Sequence, residues 1–452
     1  MPTADPGSFR DPASHIVHHG DSVLRLLDDR GVEGWKALSQ SRFFVDAVRD
    51  ERLIESNEVE PPEGTAGTIE HPRLPFISYP YEWTFSMLKD AALLQLDLLA
   101  EALAEGLTIK DATPFNFQFV DGRPIFIDIG SFEAYQQGEA WIGYRQFTRQ
   151  FLFPLMMRAW AGLPFQPWLR GDMEGPTASQ MRRILPLSKR MRPAALMHVS
   201  LQAGMEERMS GQSVRRELKQ AGFGANLILA NVKRLRALVE SLEWAHSGSA
   251  WSDYQACDHV GRDRQDKDDF LRKFLERVDP ARVLDLGAND GYFSLVAADH
   301  GSHAIAVDGD EAVLDDFYRR SAGKRISIVV GDLTNPTPSQ GWAGEERPSL
   351  SERARPDAVI AYGLIHHLIY TASIPPKAVV NWLRSFNCPV SLEFVAPEDE
   401  MVQKLTTNKL ESELHGGRDE TSFRELIATS FRVSSEHSLE SGTRTLLEMH
   451  PT

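Results

Sequence analysis

The run Arg282-Val-Leu-Asp-Leu-Gly-Ala-Asn-Asp-Gly-Tyr-Phe-Ser294 constrains this 452-residue chain more than any other segment. Val283 to Leu286 read as a short apolar strand, Gly287 and Gly291 permit a tight turn, and a helix follows at once. A strand that turns directly into a helix sets backbone N–H groups and a helix N-terminus beside the strand end. A glycine without Cβ lets a ligand approach the main chain there. Asp285 would face such a pocket from the strand end, where it is able to accept from an ammonium group.

The pattern recurs downstream. Residues 303–307 (HAIAV) predict a second strand ending in Asp308, twenty-one residues after Gly287. An acid at that distance, on the second strand, suits a bidentate bond to ribose hydroxyls. Residues 326–330 (ISIVV) predict a third strand leading into Gly331-Asp332, where a carboxylate can accept from an exocyclic adenine amine. A fourth strand, 357–361, runs into Tyr362-Gly-Leu-Ile-His-His-Leu368, and a fifth, 389–394, contains Glu393. Residues 431–436 and 444–449 read as an antiparallel pair about a Glu440-Ser-Gly turn. From Lys267 onward helix and strand alternate, which predicts an α/β unit with helices on both faces of a parallel sheet.

The ordered series DLGANDG, VD, GDL and GLIHHL resembles the motifs of class I S-adenosylmethionine-dependent methyltransferases, over residues 265–450. That resemblance implies a Rossmann-like sheet, parallel with an antiparallel last strand, and S-adenosylmethionine as cofactor. It implies that Asp285 and the loop of Gly287, Asn289 and Gly291 hold the methionine portion, Asp308 the ribose, and Asp332 with Leu333 the adenine. Two alternatives share the fold. A dinucleotide enzyme would prefer G-x-G-x-x-G, and Asn289 stands at the middle glycine. A sheet of the same shape that binds nothing is the other. His366 and His367 are candidates for a catalytic general base, or else for shaping the pocket with one packed inside. Two adjacent histidines without further ligands give no expectation of a metal.

A different constellation occupies the first half. Leu107-Thr-Ile-Lys-Asp-Ala-Thr-Pro-Phe-Asn116 is followed by Ile125-Phe-Ile-Asp-Ile-Gly130. Asp111, Asn116 and Asp128 are thus spaced by five and twelve residues. This resembles the catalytic loop and metal-binding D-x-G of protein-kinase-like and aminoglycoside-phosphotransferase-like enzymes. Carried over, Asp111 would be the base, with Asn116 and Asp128 on magnesium. The chain departs from that pattern: Lys110 precedes the Asp, no glycine-rich loop or V-A-I-K strand comes earlier, and Gly20 with Arg25 is the nearest remnant. The alternative is that Asp111 and Asp128 make loop and strand-end contacts in a helper domain.

Around these motifs, residues 14–27 predict two strands about Gly20-Asp21, and 33–49 are helical. The Glu-, Pro- and Gly-rich stretch 56–75 reads as loop. Residues 84–105 have helical spacing and end at Gly106; 116–120 and 124–129 form a hairpin about Asp121-Gly122. Residues 140–245 are mostly helical and carry a basic run, Arg182, Arg183, Lys189, Arg190 and Arg192, which reads as a solvated face before an anion site. Residues 246–252 (HSGSAWS) are linker-like. The expected division is a kinase-like α+β region 1–139, a helical continuation and linker 140–250, and a methyltransferase domain 251–452. Taken together, the two halves resemble a bacterial group of two-part methyltransferases, some labelled nodulation-protein-like.

A net charge of −15 argues against nucleic acid as a partner of the whole surface. Two cysteines, Cys257 and Cys388, build no disulfide framework, and neither a signal peptide nor a membrane span is legible. The expectation is a cytoplasmic, membrane-free enzyme that methylates a small-molecule or glycan-like acceptor. A bifunctional methyl- and phosphotransferase and a non-catalytic nucleoside-binding module are the alternatives.

Overall fold

The computed structural model describes residues 3–201, 224–245 and 260–452. The chain divides into two compact units whose sequences meet at Ala245 and His246. The expected linker at 246–252 and Cys257 lie outside the described residues.

The first unit is α+β. Its five-stranded sheet has the order β1-β2-β3-β5-β4, formed by β1 (Thr3–Ala4), β2 (Ser14–His19), β3 (Ser22–Leu27), β4 (Asn57–Val59) and β5 (Gly67–Pro72). All its pairings are antiparallel. Strands β4 and β5 correct the expectation of a loop over 56–75. Turn-forming residues are densest at 60–66; beyond them Thr68, Ile69 and His71 are buried, and β5 pairs with β3 on one side and β4 on the other.

Helices α1 (Asp29–Ser39) and α2 (Arg42–Arg49) are separated because Ser41 caps the second through the Phe44 amide. Helix α3 (Phe85–Ala104) starts at the Thr84 cap, and Gly106 follows it with φ of +76°. Its Leu88, Leu96, Leu98 and Leu99 are fully buried, so it runs through the centre of the unit.

Strand β6 (Leu107–Ile109) then leads to the hairpin of β7 (Phe117–Val120) and β8 (Arg123–Phe126), and β9 (Phe132–Ala134) returns to pair with β6. Asp121 and Gly122 both have positive φ, as a two-residue hairpin turn requires. The second hairpin strand stops at Phe126, because residues 129–131 bend into a short 3₁₀ turn.

Beyond it come α4 (Tyr144–Phe147), a π turn (Thr148–Leu152), α5 (Phe153–Ala161), α6 (Gln166–Gly171), α7 (Ala178–Ile184), α8 (Leu187–Arg190), α9 (Pro193–Ala195) and α10 (Ala225–Ser241). Helix α10 packs on α3. The contact is fixed by Arg236 on Asp97 at 2.6 Å and by the Lys89 ammonium on the carbonyls of Glu240 and Leu242.

The second unit is α/β. Its seven-stranded sheet has the order β12-β11-β10-β13-β14-β16-β15. The strands are β10 (Arg282–Leu286), β11 (His303–Asp308), β12 (Ile326–Val330), β13 (Ala358–Ala361), β14 (Val390–Val395), β15 (Phe431–Ser438) and β16 (Arg444–Pro451). The first five are mutually parallel, and β16 enters antiparallel between β14 and β15. Their near-continuous burial explains the unbroken apolar runs in the sequence. The helices are α11 (Val260–Val278), α12 (Tyr292–His300), α13 (Glu311–Arg320), α14 (Leu350–Ala354), α15 (Pro376–Ser385), α16 (Glu400–Thr406) and α17 (Glu420–Ala428). Among the described residues no helix is long and apolar enough to cross a membrane.

The glycine loop between β10 and α12 is held by space as much as by conformation. A Cβ on Gly291 would lie 2.1 Å from the ring of Phe317, which is itself fully buried, and φ there is +76°. A Cβ on Gly287 would meet Leu364 at an ordinary 3.5 Å, with φ of +78°. Gly291→Ala should therefore lower the unfolding free energy by ~3 kcal/mol or more, and Gly287→Ala by only ~1 kcal/mol. Urea titrations of the two variants measure this; equal losses would contradict the packing assigned to Phe317.

Candidate functional site

The C-terminal edge of the parallel strands gathers the predicted residues of the second unit. Asp285 lies near the end of β10, Asp308 at the end of β11, and Asp332 two residues beyond β12. Between β10 and α12, Gly287, Asn289 and Gly291 all have positive φ, with Asn289 at +48°. Asparagine tolerates this region better than most side chains, so Asn289 does conformationally what a middle glycine would do. The amides of Gly287 and Ala288 both donate to the Val307 carbonyl, at 2.9 and 3.0 Å, which draws the loop across the end of β11.

Asp308 completes that tie. One carboxylate oxygen accepts from the Asn289 amide at 2.9 Å and the other from the Asp310 amide at 2.8 Å. Burial pushes its pKa up, against the pull of those amides. Each oxygen keeps a lone-pair site, so two hydroxyls can still donate to it. Asp332 is exposed and accepts from the amide and hydroxyl of Thr334, at 2.8 and 2.7 Å; Leu333 beside it is half-buried.

Asp285 is buried, accepts from the Ser294 hydroxyl at 2.6 Å, and has its pKa raised to about 7. Burial is the main cause, and the charges of Asp308 and Asp290 add to it. A cation arriving beside Asp285 would relieve that repulsion.

The two histidines follow β13 and differ. His366 is 1% exposed, neither ring nitrogen has a hydrogen-bond partner, and burial lowers its pKa to about 3. His367 is half-buried, with its pKa lowered to about 4, and the rings lie 4.1 Å apart. Both are neutral across the physiological range.

Sequence reasoning missed the charge network beside them. Glu393 was singled out only as part of a strand. Its fully buried carboxylate accepts from Lys267 at 2.9 Å, Arg444 at 3.2 Å and the Gly363 amide at 2.7 Å. Burial alone would raise its pKa, but the two cations hold it at about 2. Arg444 also grips Asp399 at 2.8 Å. Helix α11 thus reaches the loop after β13 through Lys267. It reaches the glycine loop through Arg264, which lies 3.8 Å above the Tyr292 ring and pairs with Asp290 at 3.1 Å. A glutamate inside the apolar run VSLEFV was the available signal, but its partners lie 126 and 51 residues away.

In the first unit Asn116 and Asp128 converge on Ser131. The Asn116 amide donates to the Ser131 hydroxyl at 3.1 Å, and that hydroxyl donates to Asp128 at 2.5 Å. The other Asp128 oxygen takes Arg25 of β3 at 2.9 Å. Asp111 is near enough to feel Asp128; burial first, and that charge second, raise its pKa. Among the described residues no group of three or more His, Cys, Asp and Glu side chains is placed to hold a metal ion.

No family model matches the chain. It is 32% identical to the nodulation protein NoeA of Rhizobium meliloti (strain 1021), over 97% of this chain and 94% of that protein. Solved structures similar to it include the N-methyltransferase NodS of Bradyrhizobium japonicum WM9 with S-adenosyl-L-homocysteine. That match is 11% identical with a TM-score of 0.33, over 45% of this chain and 93% of NodS. Another is the magnesium protoporphyrin IX methyltransferase ChlM of Synechocystis PCC 6803 with bound SAH. It is 14% identical with a TM-score of 0.32, over 49% of this chain and 94% of ChlM.

The Asp285 carboxyl makes stability fall with pH. Its folded pKa of about 7 lies above the ordinary 3.8, so the folded chain binds more protons between those values. Asp285→Asn removes that dependence and should raise stability at pH 8 by ~2–4 kcal/mol relative to the parent, with little difference at pH 4. Urea titrations at the two pH values check this; an Asn variant less stable than the parent at pH 8 would contradict the assigned burial.

Proposed function

The chain belongs to the family of the nodulation protein NoeA, and from that premise we propose that its second unit is an S-adenosylmethionine-dependent methyltransferase. One observation carries the reading. Three carboxylates, Asp285, Asp308 and Asp332, stand at successive parallel strand ends around a loop with three positive-φ residues, in the motif order of class I methyltransferases. In this reading Asp285 accepts from the ammonium of the methionine portion. The bend through Gly287, Asn289 and Gly291 lets that portion lie against the backbone. Asp308 takes the ribose hydroxyls, and Asp332 with Leu333 borders the adenine. The cofactor supplies an electrophilic methyl group. Asn289, a side chain where the dinucleotide motif has its middle glycine, also favours this reading over a dinucleotide enzyme.

The acceptor, a small molecule or glycan-like compound, enters beside the loop that follows β13. Buried, neutral His366 and His367 hold protons weakly, so alignment of the acceptor matters more here than strong proton abstraction. Lys267, Glu393 and Arg444 fix that loop through the Gly363 amide.

The first unit serves acceptor binding or scaffolding. A phosphotransferase is the second reading, favoured by the convergence of Asn116 and Asp128 on Ser131 with Asp111 nearby. Against it, Asp128 is engaged on both oxygens, one of them by the Arg25 guanidinium.

Titration calorimetry tests these assignments together. S-adenosylmethionine and its demethylated product should bind with micromolar affinity, about −8 kcal/mol. Asp308→Ala should weaken both by ~1.5–3 kcal/mol. Mg²⁺–ATP should give no binding heat. An unchanged affinity in Asp308→Ala removes that residue from the ribose site, and tight ATP binding lost in Asp128→Ala promotes the bifunctional reading.

A further inference from the structure

The chain carries a net charge of −15, yet no Asp or Glu occurs from residue 175 to residue 205. Within that stretch lie Arg182, Arg183, Lys189, Arg190 and Arg192. A solvated basic helix face would carry polar residues between its charges. This one does not. Leu187 is 69% exposed and Met191 64%, and the Met191 amide bonds back to the Leu187 carbonyl, so one helical turn stacks the two side chains on one face. Arg192 lies over the Trp160 ring at 5.3 Å. That contact brings in the end of α5, where Leu163 is a further exposed apolar residue.

We propose that this patch of Leu187, Met191, Leu163 and Trp160, flanked by Lys189 and Arg190, is a docking surface for an anionic lipid bilayer. The combination argues for it. Long aliphatic side chains gain by leaving water for the acyl boundary, while an indole and basic groups belong at the headgroup level. The local charge is opposite in sign to the chain's own, so attraction to anionic headgroups acts at this patch while the rest of the surface is repelled. Nucleic acid would be met by basic groups with stacking aromatics, whereas the exposed large apolar residues here are leucine and methionine. The attachment is peripheral, since no described helix crosses a membrane.

Sedimentation of the full chain with vesicles tests this. The vesicles are phosphatidylcholine alone, or phosphatidylcholine with about 30% phosphatidylglycerol, at about 0.1 M and about 0.5 M salt. The parent should partition onto the anionic vesicles, and at least about tenfold less onto phosphatidylcholine alone or at high salt. The double substitution Leu187→Ser with Met191→Ser, and separately Lys189→Glu with Arg190→Glu, should each lower partitioning about tenfold, with unchanged circular dichroism. Because these side chains are exposed, the serine pair leaves the packed interior intact. The proposal is overturned if the parent binds no vesicle, if it binds both vesicle types equally, or if neither double variant alters partitioning. It is also overturned if light scattering shows a dimer that the serine pair dissociates while vesicles bind nothing, which would make a second copy the occupant.

Discussion

The Asp308 carboxylate accepts from the Asn289 amide, a bond that ties the glycine loop of the second unit to the next strand, and the candidate site is built outward from it. The Asn289 amide and the Asp310 amide both point at this carboxylate, while Gly287 and Ala288 donate to the carbonyl just before it. The loop must therefore bend back over the end of β11. That bend demands positive φ at three positions and leaves no room for a side chain at Gly291, where Phe317 already fills the space. Moving any of these would shift Asp285 relative to Asp308, and with it the spacing that the proposed cofactor site requires.

The strand ends were legible because buried parallel strands must be apolar throughout and their turns need residues that accept unusual φ. Residues 326–330 follow from that rule alone. Residues 56–75 misled because turn-forming composition at 60–66 masked a short hairpin of β4 and β5, whose further partner β3 lies far earlier in the chain. The Glu393 network was illegible for a related reason. Lys267, Arg444 and Gly363 come from a helix, a late strand and a loop, and no local pattern announces that three such segments meet at one carboxylate. Asn289 looked like a departure from a glycine motif, and only its φ shows that it fills the same conformational role.

Electrostatics separates the two units' acidic clusters. In the first, Arg25 gives Asp128 an internal counter-charge, and its guanidinium rests against Gly130, where a Cβ would come within 3.0 Å of it. Asp128 is thereby already compensated. In the second, burial above all, with carboxylates for neighbours, holds the Asp285 proton up to about pH 7, against the pull of the Ser294 hydroxyl. Between a half-buried, paired carboxylate and a buried, unpaired one, the second has more to gain from a cationic ligand.

Hydrogen exchange with and without S-adenosyl-L-homocysteine measures that difference most directly. The account predicts slowed exchange in peptides covering residues 285–292, 308–313 and 331–335, with the first unit's 107–131 unchanged. Protection confined to 107–131, or none anywhere at saturating ligand, would contradict the assignment of the cofactor to the second unit.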